Sequence, residues 1–257
     1  MSQVVFVSHG GGPLPLLGDP GHAELVDSFS EMRRALPKAP SLIVVISAHW
    51  EASAFSLLAT PEPGLLYDYS GFDRAAYELN YPASGVPEMA GDWAQRLNAR
   101  GWQIGLESNR GWDHGVFVPL LLLFPDAQVP VLQVSLQRGL DVARHWLFAE
   151  ALATLLPDDA LVLGSGFSFH NMPGFFAEKT PAFHAQVADF TQWLDRSVQV
   201  PDSRQRWLQW SDAPGARFSH PREEHLMPLI MCAAIAKRPG NAYATHVMDV
   251  EARHYVW

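Results

Sequence analysis

One cysteine, Cys232, stands in this 257-residue chain, inside the apolar run Leu229-Ile230-Met231-Cys232-Ala233-Ala234. An internal disulfide is therefore excluded, and the residue reads as part of the core of a protein in a reducing, cytoplasmic setting. Lysine and arginine number 18 against 27 aspartates and glutamates, a net charge of −9 with no basic block. Nucleic acid and anionic membrane surfaces are not expected as partners. No apolar run approaches the roughly 20 residues of a membrane span. The opening MSQVVFVSHGGG has neither the basic start nor the long apolar stretch of a secretory signal. Gly-x-Ser-x-Gly elbows and close-spaced His-Glu-x-x-His motifs are absent, which leaves serine-nucleophile and motif-type zinc chemistry without support. Gly10-Gly11-Gly12 runs into Pro13-Leu14-Pro15 with no lysine. The prolines remove amide donors, so a phosphate cradle is disfavoured.

What the chain does have is apolar material, 48% of residues, and two alternating periodicities. Apolar runs at 4–7, 41–47, 54–58, 102–106, 129–135, 160–166 and 242–250 read as strands. Ser41-Leu42-Ile43-Val44-Val45-Ile46-Ser47 has the continuous apolar character of a strand covered on both faces. Segments 23–36, 86–100, 116–124, 141–156, 181–198 and 223–236 read as helices; in the first, Leu25, Phe29, Met32 and Leu36 share a face. Pro37-Lys38-Ala39-Pro40 breaks the chain, and 60–85, rich in Pro, Gly and Tyr, reads as a long loop. The alternation predicts an α/β fold: one domain over 1–257, with a central mostly parallel or mixed sheet flanked by helices.

Eleven histidines are an unusual count. In open α/β sheets functional groups gather beyond the carboxyl ends of strands, and His9, His49 and His170 each follow a predicted strand. His9 is either a ligand or an incidental residue of a glycine turn. His49, in Ser47-Ala48-His49-Trp50-Glu51, is either a ligand or a core histidine bonded to backbone. His114 precedes an apolar helix that Asp113 is placed to cap; it is a hydrogen-bond partner, a proton shuttle or part of a plain capped turn. His170 follows Gly164-Ser165-Gly166, where glycine admits close backbone approach, or is an ordinary loop residue. His225 is expected on the first turn of the 223–236 helix, opened by Pro221 and facing inward with Leu229, or else on the helix surface. His220 is expected to be exposed. His22, His145, His184, His246 and His254 read as surface or structural.

Taken in order, SHGGGP, SAHWE, YPASG, WDHGVFVPL, GSGFSFHN and EEHLMPL resemble the extradiol aromatic ring-opening dioxygenases of the class III, LigB-like superfamily. Within it the chain is most similar to the 4,5-DOPA dioxygenase extradiol-like branch, over about residues 4 to 250. The resemblance implies a non-haem metal at the carboxyl edge of the sheet, with His9, His49 and His225 as ligands. It implies His170 as active-site acid/base or fourth ligand, and His114 as a second active-site histidine beside substrate and oxygen. It further implies Fe(II) as the working metal and a catechol-type substrate opened with O2. Zinc suits an all-histidine set as well, and isolated members of this branch can carry it in place of iron. Tyr81, Trp50 and Trp112, with Phe117 and Phe167, either pack on the substrate ring or belong to the core. Two other functions fit the scaffold: a zinc-dependent hydrolase, and a non-catalytic binding protein of the kind the similar Memo fold carries. A monomer or homodimer is expected.

Overall fold

The computed structural model describes residues 2–36, 40–201 and 203–257. The Pro37-Lys38-Ala39 part of the expected chain break lies outside them.

Four strands form the parallel centre of the sheet: β1 (Gln3–Ser8), β2 (Ile43–Ala52), β5 (Val131–Gln137) and β6 (Leu161–Gly166). The short β3 (Ser56–Leu58) and β4 (Gly105–Glu107) extend one side, and the hairpin β7 (Asn241–Val247) and β8 (Val250–Val256) extends the other. The order is β4-β3-β5-β2-β6-β1-β8-β7, with antiparallel pairing at β3–β5, β1–β8 and β7–β8. The sheet is thus mixed, parallel where it carries the site.

The continuous apolar runs have their predicted cause. Successive side chains of a strand point to opposite faces, and both faces are covered. In β1, Val4 and Phe6 enter one core while Val5 and Val7 enter the other. The first core is closed by α2 (Pro87–Asn98), α4 (Val142–Ala153) and α9 (Met227–Ala236); the second by α1 (Ala23–Ala35) and α3 (His114–Leu123). α6 (Pro181–Val198) contributes Phe190 and Leu194 to the first and Phe183 and Val187 to the second. Each such fully buried aliphatic or aromatic side chain contributes about 1.5–3 kcal/mol.

Four features depart from the sequence reading. β2 runs on to Ala52, so His49 lies inside the strand and not after it. The 242–250 strand is a hairpin that reverses at Met248-Asp249, both at positive φ (49° and 62°), the two-residue turn that matches strand twist. Met-Asp carries none of the usual glycine or asparagine signal for that turn. The last long helix begins at Met227 with Pro228 in its first turn, so residues 221–226 form turns and His225 precedes the helix. Three short helices went unpredicted: α5 (Met172–Phe176), α7 (Arg204–Leu208) and α8 (Ala216–Ser219). Among the described residues no helix is long and apolar enough to cross a membrane.

Candidate metal centre

His9 is the first residue beyond β1. Its backbone N–H donates to Gly166 O at 3.0 Å, continuing the β1–β6 ladder for one residue. The chain then turns at Gly10 (φ 87°), where an added Cβ would meet Pro15 at 2.6 Å and Leu25 at 2.9 Å. Only glycine serves such an exit. The His9 ring is buried, with Nδ1 2.9 Å from Ser165 Oγ.

His49 is delivered by a bulge. β2 follows β5 regularly up to Ile46↔Val134, then resumes at Glu51↔Leu136, so residues 47–50 loop out of the β5 ladder while Ser47 keeps its pairing with Ser165 of β6. Asp113, fully buried, holds the bulge. It accepts from Ser47 Oγ (2.6 Å), Arg110 (2.9 Å) and Gln133 Nε2 (2.6 Å). Ser47 Oγ accepts the His49 N–H at 3.1 Å, and Arg110 donates to His49 O at 3.0 Å. Asp113 sits at the N-cap position of α3, but its side chain makes no cap bond there. A buried carboxylate facing three donors, Ser47 and Gln133 buried and Arg110 partly so, satisfies them rather than a helix end.

His225 comes from the turn before α9. Its carbonyl accepts the Phe167 N–H at 3.0 Å, and Gly166 leaves room for it.

The three rings converge. His49 Nε2 lies 3.1 Å from His9 Nε2 and 3.2 Å from His225 Nε2. One proton on His49 Nε2 can bridge only one of these contacts, which leaves the other lone pair against lone pair. A bound cation resolves this arrangement, and imidazole is a ligand that iron and zinc both accept. Each ring's second nitrogen has its own oxygen neighbour: Ser165 for His9, Glu224 Oε1 at 3.0 Å for His225, and Asp68 Oδ2 at 3.6 Å for His49. Such outer partners orient metal-binding imidazoles. Burial, reinforced by the neighbouring imidazoles, pushes His9 well below the ordinary histidine range. Burial does the same to His225 against the pull of Glu224, and lowers His49 to about 4. The donor set is therefore neutral, the form that binds metal.

Two more histidines flank the cluster. His114 opens α3, its ring 3.9 Å from that of His49, and its Nδ1 is 2.8 Å from Asp68 Oδ1, which also accepts the His114 backbone N–H. His170 stacks on His225 at 3.4 Å, and its Nδ1 is 3.2 Å from Glu224 Oε1. Glu224 thus joins the two rings. Burial pushes its carboxyl up, but the hydrogen bonds from His170 and His225 outweigh this and hold it far below the carboxylate range. Burial likewise acts against the Asp68 charge, and the hydrogen bond from His114 prevails.

A cavity of about 300 Å³ opens over the cluster and is lined by all five of these histidines, at the small end of ligand sites. Phe167 lines it as well. Tyr81, Trp50, Trp112 and Phe117 do not: they are buried in the core on the α1/α3 side. Tyr81 donates its hydroxyl to Phe124 O, and Trp50 packs under Arg110. The aromatic wall comes instead from Tyr69 and Phe72 of the 60–85 loop and from Phe175 and Phe176 of α5.

His220, expected at the surface, is fully buried; its Nε2–H donates to Ser168 O at 3.0 Å, and burial lowers it to about 3. His22 is also fully buried and lines the cavity. Its Nδ1–H donates to Asp19 at 2.6 Å and its Nε2 accepts the Gly11 N–H at 3.0 Å, which ties down the loop that follows His9. Glu224 was visible only as the neighbour of His225. Nothing in the sequence around Asp68, Ser165 or His22 announced a role.

The chain is similar to several known proteins. A family profile described as the catalytic LigB subunit of aromatic ring-opening dioxygenase matches residues 4–251. A dioxygenase of Hapsidospora irregularis, tasH, is 36% identical over all of this chain and 86% of its own length. The 4,5-DOPA dioxygenase extradiol of Beta vulgaris is 31% identical over 96% of this chain and 91% of its own. The crystal structure of an uncharacterized Escherichia coli K12 protein has the same fold, with a TM-score of 0.79 at 23% identity, covering 100% of this chain and 99% of that one. The chain belongs to the LigB family of extradiol aromatic ring-opening dioxygenases.

Proposed function

We propose that this dioxygenase holds a ferrous ion on His9, His49 and His225 and opens a catechol-type ring with O2, His170 and His114 managing protons. The observation that carries the reading is the meeting of three neutral Nε2 atoms brought from β1, the β2 bulge and the turn before α9. Ferrous iron would supply open coordination positions and a redox couple for O2, which zinc lacks.

The protein's own groups do the rest. Glu224, held anionic, can only accept hydrogen bonds, so the ring nitrogens facing it carry protons. His170 Nδ1 is committed in this way, which leaves His170 Nε2 to take a phenolic proton and later return it. Asp68 fixes His114 Nδ1 identically, and His114 Nε2 is left for a hydrogen bond to substrate or oxygen. The apolar wall keeps water from the reacting edge.

Metal content by mass spectrometry, paired with catechol-dependent O2 uptake after anaerobic Fe(II) loading, tests the assignment. His9→Ala should fold yet lose the metal. His170→Ala should keep the metal and lose turnover by about 10²–10⁴-fold, the usual worth of a general acid–base. Wild-type metal content in His9→Ala, or unchanged turnover in His170→Ala, would overturn the corresponding role.

A further inference from the structure

Beyond the histidines, the cavity wall has its own chemistry. It includes Tyr69, Phe72, Met172, Phe175, Phe176 and Met248. Among the described lining residues none is Lys, Arg, Asp or Glu. The polar tips that could face a ligand are turned elsewhere. Tyr69 donates its hydroxyl to Ala76 O at 2.6 Å, so it offers the cavity a ring rather than a hydroxyl. His22 is bonded at both nitrogens.

The nearest charges are engaged behind the wall. Asp68 is bound to His114, Glu224 to His170 and His225, and Asp19 to His22. Arg222 lies on the far side of Glu224, where it bridges Glu51 (2.7 Å) and Glu224 (3.4 Å). Lys179 folds back on α5, donating to the carbonyls of Gly174, Phe175 and Ala177. Apart from a metal on the three histidines, which the catechol oxygens would occupy, an anionic substituent in this cavity would find no cationic side chain among the described lining residues and would face Asp19, Asp68 and Glu224 through the imidazoles. At the rim, Met172 and Phe176 are 52% and 74% exposed. Both also line the cavity, so its apolar wall continues out to the protein surface.

We propose that the ring substituent this enzyme accepts is uncharged and apolar, an alkyl or aryl group, and that Phe72, Met172 and Phe176 select it against a carboxylate or amino-acid side chain. The inference rests on the catechol dioxygenase reading above and adds the class of substrate.

Calorimetric titration of the zinc-loaded protein, which binds without turnover, measures it directly. The probes are catechol, its methyl, propyl and pentyl derivatives, the propionate-bearing catechol and dihydroxyphenylalanine. Burying a methylene is worth about 0.8 kcal/mol, roughly fourfold in Kd. The Kd should therefore fall about two- to fourfold per methylene along the alkyl series, allowing for incomplete burial at the rim. The propionate and amino-acid probes should bind at least about tenfold more weakly than propylcatechol, which is 1.4 kcal/mol. Met172→Arg and Phe176→Lys, at exposed positions that the fold does not depend on, should narrow or reverse that ratio.

Anionic or zwitterionic probes binding as tightly as propylcatechol, or a flat alkyl series, would overturn the inference while catechol turnover by the iron-loaded enzyme keeps the dioxygenase reading intact. A ratio unmoved by both rim variants would equally overturn the selecting role of that rim. If catechol itself neither binds the zinc protein nor drives O2 uptake with iron, the dioxygenase reading fails and the substrate class with it.

Discussion

Gly166→Ala adds one carbon at the end of β6, at the point where the turn before α9 crosses it. That carbon would strike the His225 carbonyl oxygen, with the carbonyl carbon at 3.1 Å and Phe6 Cε2 at 3.3 Å. Ordinary carbon contacts lie at about 3.5–4.0 Å. The obstacle is backbone, and the same carbonyl already accepts the Phe167 N–H, so no side-chain rotation relieves it. The 224–226 segment must retreat by about 1 Å to restore ordinary contact distance, taking His225 and Glu224 with it. Overpacking of this kind costs about 1–3 kcal/mol, a fall in Tm of about 2–12 °C for a chain of this size. The effect on the site should be larger than the effect on the fold, because a misplacement of about 1 Å costs on the order of 10²-fold in a geometry-dependent function. Zinc affinity, read by competition with a chromophoric chelator, should drop about a hundredfold in a protein that still melts cooperatively. Gly91→Ala provides the contrast. It lies within α2 with nothing within 4 Å of the added carbon, and it should gain about 0.5–1 kcal/mol with zinc affinity unchanged. Wild-type zinc affinity in Gly166→Ala would refute the claim that this glycine sets the position of His225.

Asp113→Ala strips the acceptor from buried Gln133 and Arg110 and frees the β2 bulge. It should cost about 3–5 kcal/mol by urea unfolding and should also lower metal content. Burial lowers His145 to about 4, and the ring donates from Nδ1 to Asp141 O and accepts the Gln137 N–H at Nε2. Between pH 6.5 and about 4 the unfolded chain protonates this group and the folded chain does not, so stability falls as pH falls through that window. His145→Gln should reduce the pH slope of the unfolding free energy there by about 1.4 kcal/mol per pH unit; an unchanged slope would contradict the assignment. Burial pushes the Cys232 thiol up, out of its reactive range. A thiol reagent should leave the native protein unmodified and titrate one group only after unfolding.

The α/β class, the parallel central strands and five of the histidines gathered around one cavity are legible in the chain. Buried strands need unbroken apolar runs, and the short motifs around His9, His49, His114, His170 and His225 are local. The errors share a different origin. The sequence puts His49 after its strand and the structure inside it, because a bulge is a mismatch between two strands and neither strand records it alone. Asp113 looked like a helix cap because its real partners, Ser47, Arg110 and Gln133, include residues from other strands. Trp50, Trp112 and Tyr81 read equally as substrate contacts or core residues, because an aromatic side chain in a short motif carries no sign of which face it turns to; the structure puts all three in the core.

The sequence by itself determined which residue types end each strand, and with them the chemistry within reach: neutral nitrogen donors, bendable glycines, and no reactive thiol or nucleophilic serine. Only the tertiary structure decided that three of those rings meet at Nε2, that Asp68 and Glu224 anchor the other two, and that the 60–85 loop, α5 and the β7–β8 turn wall the cavity with no charged side chain among the described lining residues. Those decisions depend on contacts between residues far apart in the chain, where position follows from how the sheet and helices pack and not from any local pattern.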